Sequence, residues 1–365
     1  MTRPMPIMNY LRYLNEVSLR RAPSAIREFT KLLQDLPPGT VFLAGGVPNT
    51  TQFPFVEAKF TLRDGSTIAI DPKLMSQSLQ YGATEGVPAL RKKLEEMVSR
   101  YHGVNEERME KSEVLVLPGS QFGLAMALEA MLNNGSYLII EEHAYPGVLS
   151  AVNPYNPKYL PVKVDGDGMI PDSLREVLSP WKAEEIRDSD GLVPKVLYIC
   201  PSGGNPTGSS LTEERKQEIY HIAQEYNLLI IEDDPYFFIQ FRDILLLELL
   251  NKWGWEGFDE HVRQVRCFYQ SQRDIMLAAT QKHLSGLVEW YIPKGGMFLW
   301  MKVPQLKDTY EMIMERGLAH GIVLVPGRPF CPGGQNHPSQ YLRASFSLAT
   351  KDEMDQVCLC VLVTV

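Results

Sequence analysis

The chain is poor in cysteine, and the cysteines it has are not arranged for use. Its 365 residues hold five, Cys200, Cys267, Cys331, Cys358 and Cys360, with no C-x-x-C pair and no regular spacing. That excludes a disulfide framework and points to a reducing intracellular compartment. Cys358 and Cys360, two positions apart, read as one face of a closing strand. The dispersed histidines offer no metal-ligand spacing, so no metal site is expected. No run approaches the ~18 consecutive apolar residues of a membrane span, and the apolar stretch at 357–365 is far too short. Basic charge is scarce as well: 36 Lys and Arg against 44 Asp and Glu leave a net charge of −8. Such a balance, without a long basic run, excludes nucleic acid as the main partner.

Acid is what the first residues lack. Arg3, Arg12, Arg20, Arg21 and Arg27 face a single acid, Glu16. This composition belongs to mitochondrial transit segments, and equally to an amphipathic helix packed on the fold through Tyr10, Leu11 and Leu14. The expected compartment is the mitochondrial matrix or the cytoplasm.

What the chain does have is length enough for two domains and 44% hydrophobic residues to fill their cores. Short apolar runs at Val114–Leu117, Tyr137–Ile140, Val196–Ile199 and Leu228–Ile231 predict strands buried on both faces. Helical patterns alternate with them at Gln121–Leu132, Asp172–Leu178 and Thr212–Tyr226, the last with Thr212 as its N-cap. The fold class expected is α/β, with a mostly parallel sheet covered by helices. After Asp243 the texture changes: a helical pattern to about Leu284, a strand at Met297–Val303, a helix, and a strand at Ile322–Val325. That predicts a smaller α+β domain.

In open α/β sheets ligands bind beyond the carboxyl ends of the strands, so the residues there are read together. Gly119-Ser120-Gln121 turns into a helix N-terminus, either an anion site or an ordinary cap. Tyr145 follows the second strand, as an aromatic plate or a loop anchor. Asn205 sits in Gly203-Gly204-Asn205-Pro206-Thr207-Gly208, a fixed amide or plain turn chemistry. Glu232-Asp233-Asp234-Pro235-Tyr236 gathers carboxylates at a buried strand's end, where they are costly without a cation.

Together the four loops resemble the pyridoxal-phosphate (PLP) pocket of fold-type I, class I aminotransferases, and specifically the kynurenine/2-aminoadipate aminotransferase group. The stretches at 43–49, 79–81 and Tyr341-Leu342-Arg343-Ala344-Ser345-Phe346-Ser347 carry the likeness further, over nearly the whole chain from about Met8. The resemblance implies the PLP-transferase fold and amino-group transfer between an amino acid and a 2-oxo acid. It implies Asp233 at the pyridine nitrogen, Tyr145 stacked on the ring, Asn205 and Tyr236 at the phenolic oxygen, and Ser120 and Gln121 at the phosphate. Arg343 would clamp the substrate α-carboxylate. Arg27, Gly46, Tyr81 and Asn205 would also face substrate, with Tyr81 reaching the other subunit of a dimer. The domains implied are an N-terminal arm with part of the small domain at 1–46, the large PLP-binding domain at 47–243, and a linking helix with the C-terminal small domain at 244–365.

The chain departs from the pattern after Tyr236. The family continues into a Ser-x-Ser-Lys motif that carries the Schiff-base lysine, then a phosphate-binding arginine and a further strand. Here residues 237–243 run straight into Ile244-Leu245-Leu246-Leu247-Glu248-Leu249-Leu250. The large domain is therefore expected to lack two strands and the chain to have no catalytic lysine. Ser345-Phe346-Ser347 is followed by Leu348, and Lys252, Lys294 and Lys302 lack the family context. The apolar end at 357–365 also differs from the amphipathic closing helix the resemblance implies. A shortened isoform or an incomplete gene model accounts for both departures. Such a chain would be an inactive product or the partner of a full-length subunit in a heterodimer.

Overall fold

A computed structural model of the chain describes residues 10–22, 48–187, 189, 191–236, 243–332 and 337–364, without side chains for 243–250. The chain divides into two compact units, 20–119 with 240–261, and 1–19 with 120–239 and 262–365.

In the first unit, strands β1 (Ala58–Thr61) and β2 (Thr67–Ile70) form an antiparallel hairpin, Ala58 opposite Ile70. Its turn is closed by Asp64, which accepts from the Ser66 backbone and hydroxyl, with Gly65 at φ +82°. The helix Pro72–Ser78 is capped by the Asp71 carboxylate, which accepts from Leu74 N, and the helix Pro88–His102 ends on Gly103 in the left-handed region. A long helix, Asp243–Leu284, begins in this unit and is broken at Gly254 (φ 61°, ψ −176°). Past the break, Trp255 and buried Phe258 pack against Tyr101, whose phenol donates to Asp259. The strand expected at Val114–Leu117 is not formed. A strand needs a neighbour for its backbone groups, and among the described residues the one ladder-like bond there is Val116 N to Glu85 O, 2.9 Å.

The second unit holds a four-stranded parallel sheet in the order β4-β3-β7-β8. Its strands are β3 (Tyr137–Glu141), β4 (Lys158–Val162), β7 (Val196–Ile199) and β8 (Leu229–Glu232). A two-stranded ribbon, β5 (Val164–Asp165) and β6 (Gly168–Met169), lies between β4 and β7 in sequence. Alternation along β3 and β7 explains their unbroken apolar character. Leu138, Ile140, Val196 and Tyr198 face one core with Leu124, Leu128 and Val148. Ile139, Leu197 and Ile199 face the other with Leu174, Ile219 and Ile222. The covering helices are Ser120–Met131, Pro146–Val152, Pro171–Leu178 and Glu213–Tyr226. Thr212 Oγ1 caps the last, accepting from Arg215 N at 3.3 Å. β8 closes the described sheet on one side, and its apolar residues are only half-buried.

The same unit carries a second, antiparallel sheet in the order β11-β12-β10-β9, built from β9 (Glu289–Trp290), β10 (Phe298–Lys302), β11 (Val325–Pro326) and β12 (Tyr341–Ser345). Its core includes Leu284, Leu299, Leu342, Phe346 and Met354.

Two local expectations are corrected here. Residues 351–364 form a helix, Lys351–Thr364, not a strand that displays Cys358 and Cys360 on one face. Thr350 and Glu353 close a capping box: Glu353 Oε2 accepts from Thr350 N (2.7 Å) and Thr350 Oγ1 from Glu353 N (3.3 Å). Met354, Cys358 and Val361 then bury at helical spacing. At the other end, Tyr10–Tyr13 is a short 3-10 turn whose buried residues are Arg12 and Tyr13, while Tyr10 and Leu11 are exposed. Arg12 is held inside because its guanidinium donates to the carbonyls of Ile186 and Asn227, both at 2.7 Å. No helix among the described residues is long and apolar enough to cross a membrane.

Leu197, fully buried at the centre of the parallel sheet, is the residue whose truncation is felt most directly. Leu197→Ala is expected to lower stability by about 2–5 kcal/mol, read as a lower urea midpoint at unchanged slope.

Candidate functional site

The carboxyl ends of β3, β7 and β8 open onto one cavity of about 130 Å³. Ser120, Gln121, Tyr145, Asn205, Asp233 and Tyr236, singled out from four separate loops, all line it. A larger groove of about 910 Å³ runs along the helices Asp243–Leu284 and Lys351–Thr364, past Cys267, Ile275 and Lys351, but none of the motif residues reaches it.

Asp233 continues the β7–β8 ladder by one residue, its N–H donating to Ile199 O at 2.9 Å. Its side-chain Oδ2 accepts from the Tyr198 phenol at 2.8 Å. Burial pushes the Asp233 carboxyl above the usual carboxylate range, and the Tyr198 hydrogen bond pulls it back. The adjacent Asp234 accepts from Ser202 Oγ at 3.2 Å, and Glu232 is exposed.

Tyr145 caps the helix Pro146–Val152, and its half-buried ring lies against Gly147. Any Cβ at position 147 would overlap that ring and the Gln121 side chain, so glycine is what lets the plate fold down. Gln121 Nε2 donates to Gly147 O at 3.0 Å, tying the start of the helix Ser120–Met131 to the Tyr145 loop. Ser120 and Gln121 are exposed, and the helix N-terminus they form favours an anion.

Asn205 is buried in a tight loop in which Gly204 N bonds Ser209 O and Gly208 N bonds Gly204 O. Gly203 (φ +59°) meets the Gly295–Gly296 backbone so closely that no side chain fits. Arg343 lies 138 residues away in sequence, yet its Nη1 donates to Asn205 Oδ1 at 2.8 Å. The guanidinium stands over Phe298 (4.1 Å) and Phe330 (5.0 Å), which offsets part of the cost of burying it. Burial lowers its pKa, and among the described residues no carboxylate pairs with it. Tyr236 shares a hydrogen bond with Asn205, and burial pushes its phenol up to about 12, so it remains a neutral donor.

Not all of the expected residues gather here. Tyr81 belongs to the other unit and is 68% exposed. Arg27 and Gly46 lie outside the described residues, as does the stretch 237–242. No lysine or arginine lines the cavity among the described residues. The lysines weighed above are engaged elsewhere: Lys252 with Thr67 O, Lys294 with Asp167, and Lys302 with Glu289.

Two residues that line the cavity fall outside the loop motifs, Tyr198 in β7 and Cys200 just after it; Glu141, at the end of β3, is buried. A tyrosine inside an otherwise apolar buried strand was the available signal, since its hydroxyl must find a partner.

Comparison with known proteins agrees with this geometry. The model of the aminotransferase class I and II family matches residues 50–242. The chain is 36% identical to the mouse (Mus musculus) kynurenine/alpha-aminoadipate aminotransferase, mitochondrial, covering 95% of this chain and 97% of the relative. That match runs over 412 positions, so at least 47 of them face no residue of this 365-residue chain. Among solved structures, the aminotransferase Aro8 from Candida albicans superposes with a TM-score of 0.83 at 22% identity, covering 98% of both chains. The alpha-aminoadipate aminotransferase LysN from Thermus thermophilus, complexed with N-(5'-phosphopyridoxyl)-L-leucine, gives 0.63 at 24%, covering 79% of this chain and 83% of that one.

Glu141 yields a pH dependence. Desolvation raises its pKa from the ordinary 4.5 to about 8, with no compensating cation. The folded state then binds a proton that the unfolded state releases, so this contribution to stability is full below about pH 4.5 and is lost as pH rises to about 8. Glu141→Gln is expected to flatten the stability profile across that window in urea unfolding series.

Proposed function

The chain belongs to the aminotransferase class I and II family, and from that membership we propose that it binds pyridoxal phosphate and transfers amino groups from an amino acid of the kynurenine or 2-aminoadipate type to a 2-oxo acid. The observation that carries this reading is the convergence of six loop residues on one cavity, with Arg343 bonded to its Asn205 wall.

The residues fit the cofactor in kind. Asp233 Oδ2 is taken by Tyr198 while Oδ1 has no donor among the described residues, which suits a ring N–H. Tyr145 offers a face for the ring, Asn205 and Tyr236 donate toward its phenolic oxygen, and Ser120 and Gln121 bring a helix N-terminus to the phosphate. When bound, pyridoxal phosphate supplies an electron sink that protein side chains lack. Arg343, half-buried without an anion, binds the substrate carboxylate through its planar fork. Its bond to Asn205 fixes that fork relative to the cofactor.

A second reading, cofactor binding without turnover, rests on the absence of a lysine from the cavity lining among the described residues. In the family, the Schiff-base lysine holds the cofactor and moves the substrate Cα proton. A general acid–base group of that kind contributes ~10²–10⁴-fold in rate. We propose that the segment carrying that lysine is absent at the Asp243–Ile244 junction. For assembly we propose a dimer, with exposed Tyr81 serving the partner's site. For compartment we propose the mitochondrial matrix, in keeping with the Arg-rich start and the name of the mouse relative.

Purified chain with PLP, 2-aminoadipate or kynurenine and a 2-oxo acid is expected to form the new amino acid, followed by chromatography. Bound cofactor without product would establish the second reading, and neither binding nor product would overturn both. Arg343→Lys is expected to raise the KM for the amino acid by about tenfold or more, because a lysine cannot make the bidentate contact. An unchanged KM would remove Arg343 from the carboxylate role.

A further inference from the structure

We propose that Tyr198 is a positioning residue for this site: its phenol holds the Asp233 carboxylate so that Oδ1 is left for a protonated ring nitrogen. The inference rests on the cofactor reading above and adds a residue that none of the loop motifs contains.

Consecutive residues of β7 hold Asp233 at two points. The Ile199 carbonyl accepts from its backbone N–H, and the Tyr198 phenol donates to Oδ2. The first fixes where the residue stands, and the second fixes how the carboxylate is turned about its last bond. Tyr198 is 1% exposed, in the core that also holds Leu124, Leu138 and Val148. A hydroxyl there is costly unless it is bonded, and Asp233 is its partner. No other side chain among the described residues is recorded donating to Asp233. Tyr198 and Asp233 line the same cavity, so the bond lies at its wall.

The arrangement has a chemical purpose. Burial favours the neutral carboxyl, which would hold a cationic ring poorly, and a donor on Oδ2 favours the charged form. The donor itself cannot ionise in the working range, because burial and the Asp233 charge drive the Tyr198 pKa far up. The other titratable groups nearby are Cys200 just after β7, Glu141 at the end of β3, and Asp234 and Tyr236 on the loop of Asp233. Tyr145 and Arg343 face Tyr236. Cys200 and Tyr236 are raised and stay neutral near pH 7, Glu141 titrates at about 8, and Arg343 stays charged. The phosphate of the ligand also titrates in this range, but alike for every variant, so the displacement of the acid limb between variants reports Asp233.

The test is the affinity for pyridoxal 5'-phosphate by equilibrium dialysis from pH 4 to 8. Wild type is compared with Tyr198→Phe and with a chain carrying 3-fluorotyrosine at position 198. Loss of the hydroxyl is expected to weaken binding by roughly tenfold or more at pH 7 and to move the acid limb to higher pH. The fluorinated phenol, a stronger donor of nearly the same shape, is expected to move that limb to lower pH. If Tyr198→Phe fails to give a cooperative thermal transition, the fluorinated chain alone decides. Superimposed limbs and equal affinities overturn the role of Tyr198 and leave the cofactor reading standing. A wild-type chain that binds no pyridoxal phosphate overturns both.

Discussion

A carboxylate buried inside a protein constrains what is built around it, and in the function proposed above Asp233 is the one that stays charged against a protonated ring. Its burial works against ionisation, and the only compensation the described residues provide is one phenolic hydrogen bond. The remaining compensation has to come from a ligand cation, because no lysine or arginine lines the cavity among the described residues. The site is thus electrostatically incomplete in the sense that suits it to a protonated ring, and Arg343 is incomplete in the opposite sense. It is a half-buried cation whose hydrogen-bond partner is a neutral amide and whose rings supply only quadrupoles. In the proposed function an amino acid's carboxylate and a cofactor's ring nitrogen answer these two demands.

The sheet makes the constraint possible. Parallel strands β3, β7 and β8 end at one edge, so the residues that follow them converge although they are scattered along the chain. The ladder carries Asp233 one residue past the end of β8, and glycines let the neighbouring loops close in. Gly147 admits the Tyr145 ring, and Gly203 admits the Gly295–Gly296 backbone beside the Asn205 loop. The unbroken apolar character of β8 predicts a strand buried on both faces, yet its Leu229, Ile230 and Ile231 are only half-buried among the described residues. Residues 114–117, equally apolar, pair with no strand among the described residues.

Much of this was legible before the structure, for physical reasons. Strands buried on both faces show as continuous apolar runs, which is why β3, β7 and β8 were found within a residue. Thr212 announces its helix because a cap is a local interaction. Context decided the cases that went otherwise. Residues 114–117 have strand composition, but pairing is not encoded in composition. Residues 357–364 are rich in β-branched and sulfur side chains and read as a strand, whereas the Thr350–Glu353 capping box just ahead of Met354 is the better guide. The Arg343–Asn205 bond has no local pattern at all, and it entered only through the family resemblance. Tyr198 has no loop motif to mark it, because its hydroxyl sits inside a strand.

The most direct measurement of the central claim is the nitrogen NMR shift of ring-15N-labelled pyridoxal phosphate bound to the purified chain at pH 8. A protonated-ring shift that returns to the unprotonated position in Asp233→Ala is the result this account predicts. An unprotonated ring in the wild-type complex would contradict it, because the Asp233 carboxylate would then not be paired with the cofactor.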